Sequence, residues 1–254
     1  MADSLLVDRR ANVLVMTINR PEVRNALDDE VSVRIAAAMD ELDSDPELRV
    51  GVLVGAGRVF SSGMDLKAFG EGRVPVVVGR GLAGFAERPP EKPLIAAIEG
   101  YAVAGGWEVA MACDLGVAGR DARFGLPEVK RGLIASGGGL IHLPRRIPYA
   151  QAAELALTGA LIEAPRALEL GLLNRVVEPG GALAAALELA EEIAANAPLA
   201  TAASKKVLKF AAKEFEAGAW DRQVAVRDEI SASEDAKEGA LAFVEKREPV
   251  WRAL

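Results

Sequence analysis

The chain has 254 residues, of which 51% are hydrophobic and 26% are charged, with a formal net charge of −7 at pH 7. This length and apolar content predict one large domain, or a core with a smaller appendage. The acidic balance argues against general nucleic-acid binding, which requires a basic face. No stretch supplies the roughly 18 uncharged apolar residues that a membrane-spanning helix requires, so we expect no membrane partner.

Cysteine and histidine usage narrows the chemistry. Cys113 is the only cysteine, so no internal disulfide can form, which is typical of a reducing compartment. Residues 1–10 mix acidic and basic side chains and have no long apolar core, so we expect no signal peptide and a cytoplasmic location. His142 is the only histidine, and a single histidine cannot form a His-rich metal site, so no metal is expected.

The first half of the chain alternates predicted strands and helices. Strands are predicted at Leu5–Val7, Val13–Ile18, Val50–Val54, Leu94–Ile98 and Leu115–Ala118. A helix is expected from Asp28 or Asp29 to about Leu42, since Val31, Ile35 and Met39 share one face. Residues 68–92 are rich in Gly, Arg and Pro and predict a mobile loop or short helices. The recurring strand, loop and helix predict an α/β domain with ligand chemistry at strand-to-helix junctions.

The second half is predicted to become helical. Helices are expected from Gly137-Gly138-Gly139 to about Arg146, then at Ala150–Leu157, Ala164–Leu170, Ala182–Ala195, Pro198 to about Phe215, Trp220–Ile230, and from Ser233 or Asp235 to about Lys246. One short strand, Val176-Val177, interrupts them. The change near residue 195 predicts a core at 1–195 and a C-terminal helical region at 196–254. We expect the apolar positions of that region to pack on the core or on a neighbouring subunit.

The stretch from Gly100 to Glu128 carries the candidate chemistry. Ala104-Gly105-Gly106 are small enough for another molecule to lie against the backbone. A helix is predicted at Trp107–Cys113, and the free N–H groups of its first turn suit an oxyanion. Glu108 lies in that turn, and Glu128 lies in a predicted turn twenty residues later. Two carboxylates near one backbone anion site could add or remove a proton beside a carbonyl.

Several ordered blocks make nearly the whole chain resemble the crotonase family, the enoyl-CoA hydratases and isomerases. The blocks are Asn19-Arg20-Pro21 with Asn25-Ala26-Leu27, Phe60 to Leu66, Gly100 to Asp114, Phe124 to Glu128 with Gly132, and Glu234-Asp235, Glu238-Gly239 and Ala242 to Arg247. Each block alone is weak, but their order and spacing together are a strong signal. The resemblance implies an α/β spiral of repeated ββα units with a C-terminal helical region that builds trimers, often paired into hexamers.

The resemblance also implies the site. The backbone N–H groups of Met64 and Gly105 would form an oxyanion hole for the thioester oxygen of an acyl-CoA substrate. Glu108 would help activate water for attack at Cβ and Glu128 would exchange the proton at Cα, so that an enoyl-CoA becomes a 3-hydroxyacyl-CoA. The expected substrate-binding residues are Arg24, Ser62, Asp65, Lys67, Phe243 and Lys246. Coenzyme A is part of the substrate, and no separate cofactor is expected.

Four functions other than enoyl-CoA hydration were considered. Many isomerases of this family use only the glutamate at the position of Glu128, so the presence of both favours a hydratase. The C-terminal sequence also resembles carnitinyl-CoA dehydratases, which tend to carry an acidic residue where Ser136 stands. A non-catalytic CoA-binding scaffold would be favoured by loss of either glutamate, and neither is lost. A dinucleotide-binding oxidoreductase is disfavoured, because Phe60 replaces the third glycine after Gly55-Ala56-Gly57.

One residue next to the candidate site departs from the family pattern. Trp107 precedes Glu108 at a position where a smaller residue is common. We therefore expect either the acyl pocket or the packing of the helix to differ from that of relatives.

Overall fold

A six-stranded sheet forms the centre of the fold. The structure, a computed structural model, describes residues 3–131, 133–212 and 233–252. The strands of this sheet and of two smaller ones are β1 (Leu5–Arg10), β2 (Val13–Ile18), β3 (Val50–Gly55), β4 (Val76–Val77), β5 (Gly81–Leu82), β6 (Leu94–Ile98), β7 (Tyr101–Val103), β8 (Leu115–Gly119), β9 (Arg123–Gly125), β10 (Ile162–Glu163) and β11 (Arg175–Val177).

Helices surround the sheets. They are α1 (Asp29–Ser44), α2 (Leu66–Gly70), α3 (Gly105–Ala112), α4 (Gly139–Arg146), α5 (Tyr149–Thr158), α6 (Ala164–Glu169), α7 (Ala182–Ala194), α8 (Pro198–Ala211) and α9 (Glu234–Glu245), with 3₁₀ helices at Pro21–Val23 and Pro127–Arg131. Asp28 caps α1 by accepting a hydrogen bond from the N–H of Val31, as the sequence predicted.

The large sheet has the order β1-β2-β3-β6-β8-β11. β1 and β2 form an antiparallel hairpin, and the remaining neighbours pair in parallel. Every residue of β3 and β6 is buried, which explains why both strands read as continuous apolar runs. Because parallel strands end at the same edge of a sheet, the segments that follow β3, β6 and β8 meet there, and the candidate site lies at that edge.

Short second strands follow two of the long ones and create the spiral. β7 follows β6 and β9 follows β8, and the two pair in parallel with Ala102 opposite Phe124. An isolated bridge between Ser61 and Ala102 extends this layer to the segment after β3. Helix α2 follows that segment, α3 follows β7, and the second 3₁₀ helix follows β9. This repetition confirms the predicted crotonase-type arrangement of ββα units.

The three-residue strands β7 and β9 and the two-residue strand β10 were not predicted from the sequence. Phe124 to Glu128 was predicted as a turn, but Arg123–Gly125 is a strand and a 3₁₀ helix starts at Pro127. Strands of two or three residues are too short to show the alternation of apolar and polar residues that identifies a strand. Their pairing is set by partners about twenty residues or more away along the chain.

Residues 68–92, predicted as a mobile loop or short helices, contain the end of α2 and the small β4-β5 hairpin. The stretch 81–86 is buried. Arg80 donates two hydrogen bonds to Asp40 on α1, at 2.8 and 2.7 Å. The segment is therefore anchored to α1 on one side of the site.

The C-terminal region is joined to the core by a buried cation. Lys205 on α8 is only 8% exposed and lies 2.5 Å from a carboxylate oxygen of Asp114. It also donates to the carbonyl of Lys92 at 2.7 Å. The predicted helix at Trp220–Ile230 lies outside the described residues, and the division at residue 195 stays a prediction. In the described parts of the chain, no helix has the length and apolar character needed to cross a membrane.

Candidate active site

Two backbone N–H groups from separate loops lie close together beyond the ends of β3 and β6. They belong to Met64 and to Gly105, the first residue of α3. A methyl group placed on Gly63 would lie 2.9 Å from the Gly105 nitrogen, and one placed on Gly105 would lie 3.5 Å from the Met64 nitrogen. Neither N–H donates a hydrogen bond to any residue that the structure describes. A pair of free donors around one space is the geometry of an oxyanion hole.

The backbone around these donors is constrained. Gly63 has a φ of +89° and Ala104 has a φ of +51°, a conformation that residues with a side chain rarely adopt. Ala104 is held there by a hydrogen bond from its N–H to the carbonyl of Gly125, at 2.9 Å. Strained backbone of this kind is typical of functional sites, where the surrounding structure stabilises it.

Glu108 lies in the first turn of α3 and is only 4% exposed. Its Oε1 accepts a hydrogen bond of 2.8 Å from the N–H of Gly139, at the start of α4. Burial raises the pKa of Glu108, while hydrogen bonds from the N–H groups of Gly139 and Gly137 act in the opposite direction. The start of α4 therefore stabilises the ionised form of this buried carboxylate.

The close approach of α4 to Glu108 requires glycine. A methyl group on Gly137 would lie 2.8 Å from Oε2 of Glu108, and one on Gly139 would lie 3.1 Å from Oε1. The sequence analysis used this glycine triplet only as a helix start. Nothing in the local pattern links it to a carboxylate that precedes it by about thirty residues.

Glu128 occupies a different environment in the second 3₁₀ helix. Its Oε2 is buried and has no hydrogen-bond partner among the described residues. Burial raises the pKa of Glu128 to about 7, its own backbone N–H opposes this, and the charge of Glu108 adds to it. The two glutamates follow the ends of the paired strands β7 and β9, since Val103 lies opposite Gly125. Glu108 thus accepts hydrogen bonds from backbone N–H groups, whereas Oε2 of Glu128 has no such partner among the described residues and the pKa of Glu128 is raised to about 7. Two carboxyl groups in different environments can divide the roles of base and acid.

We expect the Glu128→Gln variant to be more stable than the wild type at pH 8 but nearly equally stable at pH 4. A raised pKa in the folded state means that ionisation of Glu128 lowers the free energy of unfolding as pH rises from 4.5 through about 7. Glutamine cannot ionise, so the variant should gain about 1–2 kcal/mol at pH 8, after allowance for partial solvent screening. Urea unfolding at the two pH values measures this difference. Glu154→Gln, at an exposed position of α5, is the control, and an equal effect of Glu128→Gln at both pH values would contradict the raised pKa.

The structure brings some of the expected substrate-binding residues to the loop of Met64. The N–H of Ser62 donates to the carbonyl of Arg24 at 3.0 Å, so these two residues are adjacent. Lys67 is exposed on α2. Asp65 has a structural role, because it caps α2 by accepting from the N–H groups of Lys67 and Ala68 and pairs with Arg20 at 3.0 Å. Substrate contact by any of these residues stays a prediction.

The expected tail residues lie at the end of α9. Lys246 is exposed and follows the last residue of the helix, Glu245. The side chain of Phe243 lies outside the described residues. Contact of these two positions with CoA therefore stays a prediction.

Trp107 belongs to the hydrophobic core. It is 2% exposed, and its ring lies 6.2 Å from that of Phe124 at an interplanar angle of 52°. This tilted contact joins α3 to β9 directly beside Glu108. In this chain Trp107 therefore takes part in the packing of the helix against β9.

A metal site is not found in this part of the protein. The described residues contain no group of three or more His, Cys, Asp and Glu side chains that could hold a metal ion. Cys113 is buried and its thiol contacts the carbonyl of Val109, so it is part of the core.

The sequence model of the family described as enoyl-CoA hydratase/isomerase matches residues 8–253. The chain belongs to the enoyl-CoA hydratase/isomerase family. It is 42% identical over 261 residues to the enoyl-CoA hydratase EchA19 of Mycobacterium tuberculosis, covering 96% of this chain and 94% of that protein. It is 40% identical over 261 residues to the carnitinyl-CoA dehydratase of Escherichia coli, covering 99% of both. A crystal structure of an enoyl-CoA hydratase from Mycobacterium tuberculosis H37Rv superposes with a TM-score of 0.97 at 54% identity, covering 99% of this chain and 100% of that one.

Membership of the enoyl-CoA hydratase/isomerase family confirms the resemblance on which the sequence analysis depended. It also confirms the fold, since the crystal structure matches over nearly the whole chain. The comparisons do not assign roles to individual residues, and these roles stay predictions.

Proposed function

We propose that this family member is an enoyl-CoA hydratase, which adds water across the 2,3 double bond of an enoyl-CoA to give a 3-hydroxyacyl-CoA. The observation that carries the proposal is the presence of two carboxyl groups in different environments, on Glu108 and Glu128, after the ends of the paired strands β7 and β9. Hydration requires one group that takes a proton from water and another that delivers a proton to carbon. An isomerase that moves one proton between two carbons requires only one such group.

The oxyanion hole would act first. The thioester oxygen accepts hydrogen bonds from the N–H groups of Met64 and Gly105, which polarise the conjugated double bond. As charge accumulates on that oxygen in the enolate, these bonds strengthen. Each such donor typically contributes about 3 kcal/mol to transition-state stabilisation. Backbone donors serve this purpose without reorganisation, because the surrounding loops already hold them in place.

The two glutamates then divide the proton transfers. Glu108, whose carboxylate is stabilised by the N–H of Gly139, accepts a proton from water as the oxygen forms its bond to Cβ. Glu128, whose raised pKa keeps a substantial protonated fraction near neutral pH, delivers its proton to Cα. The product carries one hydrogen and one hydroxyl from a single water, added syn. Transfer of the proton from Glu108 to Glu128, directly or by exchange of both groups with solvent, restores the starting state.

The acyl-CoA would be bound through exposed cations at the rim of the site. Arg24, Lys67 and Lys246 are all exposed, and their positive charges suit the phosphates of a CoA. We also propose a homotrimer, which can pair into a hexamer, because the stretch from the second 3₁₀ helix to α5 exposes several large apolar residues. These residues are Val129, Leu133, Ile134, Leu140, Ile141, Tyr149 and Leu157. Exposed apolar residues that form a patch favour a contact with another subunit.

Carnitinyl-CoA dehydration is a second candidate, favoured by the 40% identity to the Escherichia coli enzyme of that name. A trimethylammonium group would need a negative or aromatic partner near the acyl chain. Ser136, at the position where such relatives tend to be acidic, is neutral and exposed beside Gly137. We therefore rank this activity below hydration of an uncharged enoyl chain.

We expect the wild-type protein to hydrate crotonyl-CoA and longer enoyl-CoAs, seen as a loss of the absorbance of the conjugated thioester. Under the same conditions we expect no dehydration of carnitinyl-CoA, because Ser136 offers no countercharge. Matched assays with both substrates rank the two activities. Dehydration of carnitinyl-CoA faster than hydration of crotonyl-CoA would reject the first candidate in favour of the second.

A further inference from the structure

Arg20 lies between two carboxylates under the loop that carries Met64. Its side chain is 17% exposed, and Nη2 lies 2.9 Å from Oδ2 of Asp28 and 3.0 Å from Oδ2 of Asp65. Its Nη1 donates to the carbonyl of Ala26 at 2.5 Å. One guanidinium thus binds three acceptors, two from one segment and one from another.

The two aspartates that Arg20 binds are helix caps. Oδ1 of Asp28 accepts from the N–H of Val31 at 3.0 Å, at the start of α1. Oδ1 of Asp65 accepts from the N–H of Lys67 at 3.0 Å, at the start of α2. Each carboxylate uses one oxygen for its helix and the other for the guanidinium. Arg20 therefore fixes the starts of two helices relative to each other.

Between these two caps, the backbone of Leu27 holds the peptide that supplies one donor of the oxyanion hole. The N–H of Leu27 donates to the carbonyl of Gly63 at 2.8 Å, and the N–H of Asp65 donates to the carbonyl of Leu27 at 2.8 Å. The Gly63 carbonyl and the Met64 N–H belong to one planar trans peptide, so they point in opposite directions. A hydrogen bond that draws the carbonyl toward Leu27 therefore turns the Met64 N–H away from Leu27.

We propose that Arg20 is a positioning residue for the oxyanion hole. It binds residues on both sides of Leu27, and Leu27 sets the direction of the Met64 N–H. The other donor, on Gly105, belongs to a different segment and has no contact with Arg20. The inference rests on the proposed hydratase function, because the hole has a catalytic role only if a thioester oxygen occupies it.

The chemistry of the side chain explains why arginine stands at this position. A guanidinium presents a planar fork of donors that can bind several acceptors at fixed angles. A lysine ammonium is a single point and cannot occupy the positions of both Nη1 and Nη2. Arg20→Lys therefore keeps the charge between the two aspartates but loses the geometry. Removal of an oxyanion-hole donor typically lowers kcat about 10²- to 10³-fold, and a misdirected donor should lose part of that, about tenfold or more.

The test uses Arg20→Lys and Asp65→Asn in the full chain. Asparagine caps helices as well as aspartate, so Asp65→Asn keeps α2 and removes the ion pair with Arg20. Arg49→Lys is the matched control. Arg49 donates to the carbonyl of Ala194 at 2.7 Å and lies at the opposite end of β3 from the site.

Three measurements separate positioning from folding. They are kcat and KM with crotonyl-CoA, the carbonyl stretching frequency of bound butyryl-CoA, which is saturated and cannot be hydrated, and the affinity for free CoA. We expect both site variants to lower kcat about tenfold or more and to shift the carbonyl stretch toward its value in water. Affinity for free CoA should not change, and Arg49→Lys should behave as the wild type.

The inference is overturned if both site variants keep the wild-type kcat and carbonyl stretch. It is also overturned if they lose affinity for free CoA and for butyryl-CoA equally, which would indicate a general defect of folding. A wild-type protein that hydrates no enoyl-CoA would instead reject the proposed function. In that case the carbonyl stretch of bound butyryl-CoA still tests whether Arg20 directs the Met64 N–H.

Discussion

Hydration of crotonyl-CoA by the Glu128→Gln variant is expected to be about 10²- to 10⁴-fold slower than by the wild type, with the fold intact. Glutamine has nearly the shape of glutamate but cannot deliver a proton to Cα. Glu128 is half-buried, and its Oε2 has no hydrogen-bond partner in the described chain, so the substitution breaks no contact of that atom. The loss should therefore appear in kcat and not in the unfolding midpoint at acidic pH.

Steady-state kinetics with crotonyl-CoA measure this effect, and calorimetric titration with CoA shows whether binding is kept. Glu154→Gln on α5 is the control, because it makes the same chemical change at an exposed position of a different helix. Turnover of Glu128→Gln at the wild-type rate would remove Glu128 from the mechanism.

Alanine at position 63 is expected to lower kcat about 10²- to 10³-fold, the effect of losing one oxyanion-hole donor. The added methyl group would lie 2.9 Å from the nitrogen of Gly105, 3.0 Å from Cβ of Ala104 and 3.1 Å from the carbonyl oxygen of Val103. Two of these neighbours are backbone atoms of the segment that begins α3, and that segment cannot retreat without moving Glu108. The methyl group therefore separates the two donors or blocks the space between them.

Gly57→Ala is the matched control for this substitution. Gly57 has a φ of +76°, close to the +89° of Gly63, but a methyl group there would have only Cβ of Pro21 within 4 Å, at 3.7 Å. Both variants carry the strain of a positive φ, about 1 kcal/mol, and the close contacts of the methyl group at position 63 should lower the unfolding midpoint of Gly63→Ala further. Only Gly63→Ala should also lose kcat. Equal activity of the two variants would exclude the space beside Gly63 as the oxyanion hole.

Much of the large sheet could be predicted from local pattern. The bounds of β2 and β6 agree with the prediction, because both are apolar runs buried along nearly their whole length. The cap of α1 was predicted to be Asp28 or Asp29, since capping involves only the residues that follow it, and the structure shows that it is Asp28. The prediction failed at β7, β9 and the β4-β5 hairpin, where two or three residues pair with segments that the local sequence does not reveal.

The residues of the candidate site also fall into those that local sequence predicts and those that it does not. Glu108, Glu128, Met64 and Gly105 were identified from ordered motifs, and the family match supports the resemblance behind them. Arg20 lies in the first of these motifs, and Gly139 belongs to the glycine triplet before α4. Neither residue was assigned a role in the site from the sequence. Each acts on a group that lies far away along the chain, Asp65 for Arg20 and Glu108 for Gly139.

From its sequence alone, this protein could be assigned a family, a fold class and the residue types of its site, because these depend on short motifs in a fixed order. The tertiary structure was needed to distinguish the two glutamates. A pKa depends on burial and on neighbouring dipoles and charges in space, and the N–H groups that stabilise Glu108 come from another helix. The direction of the Met64 N–H likewise depends on a peptide plane held by Leu27, a contact that exists only after β3 and the loop before α1 have come together.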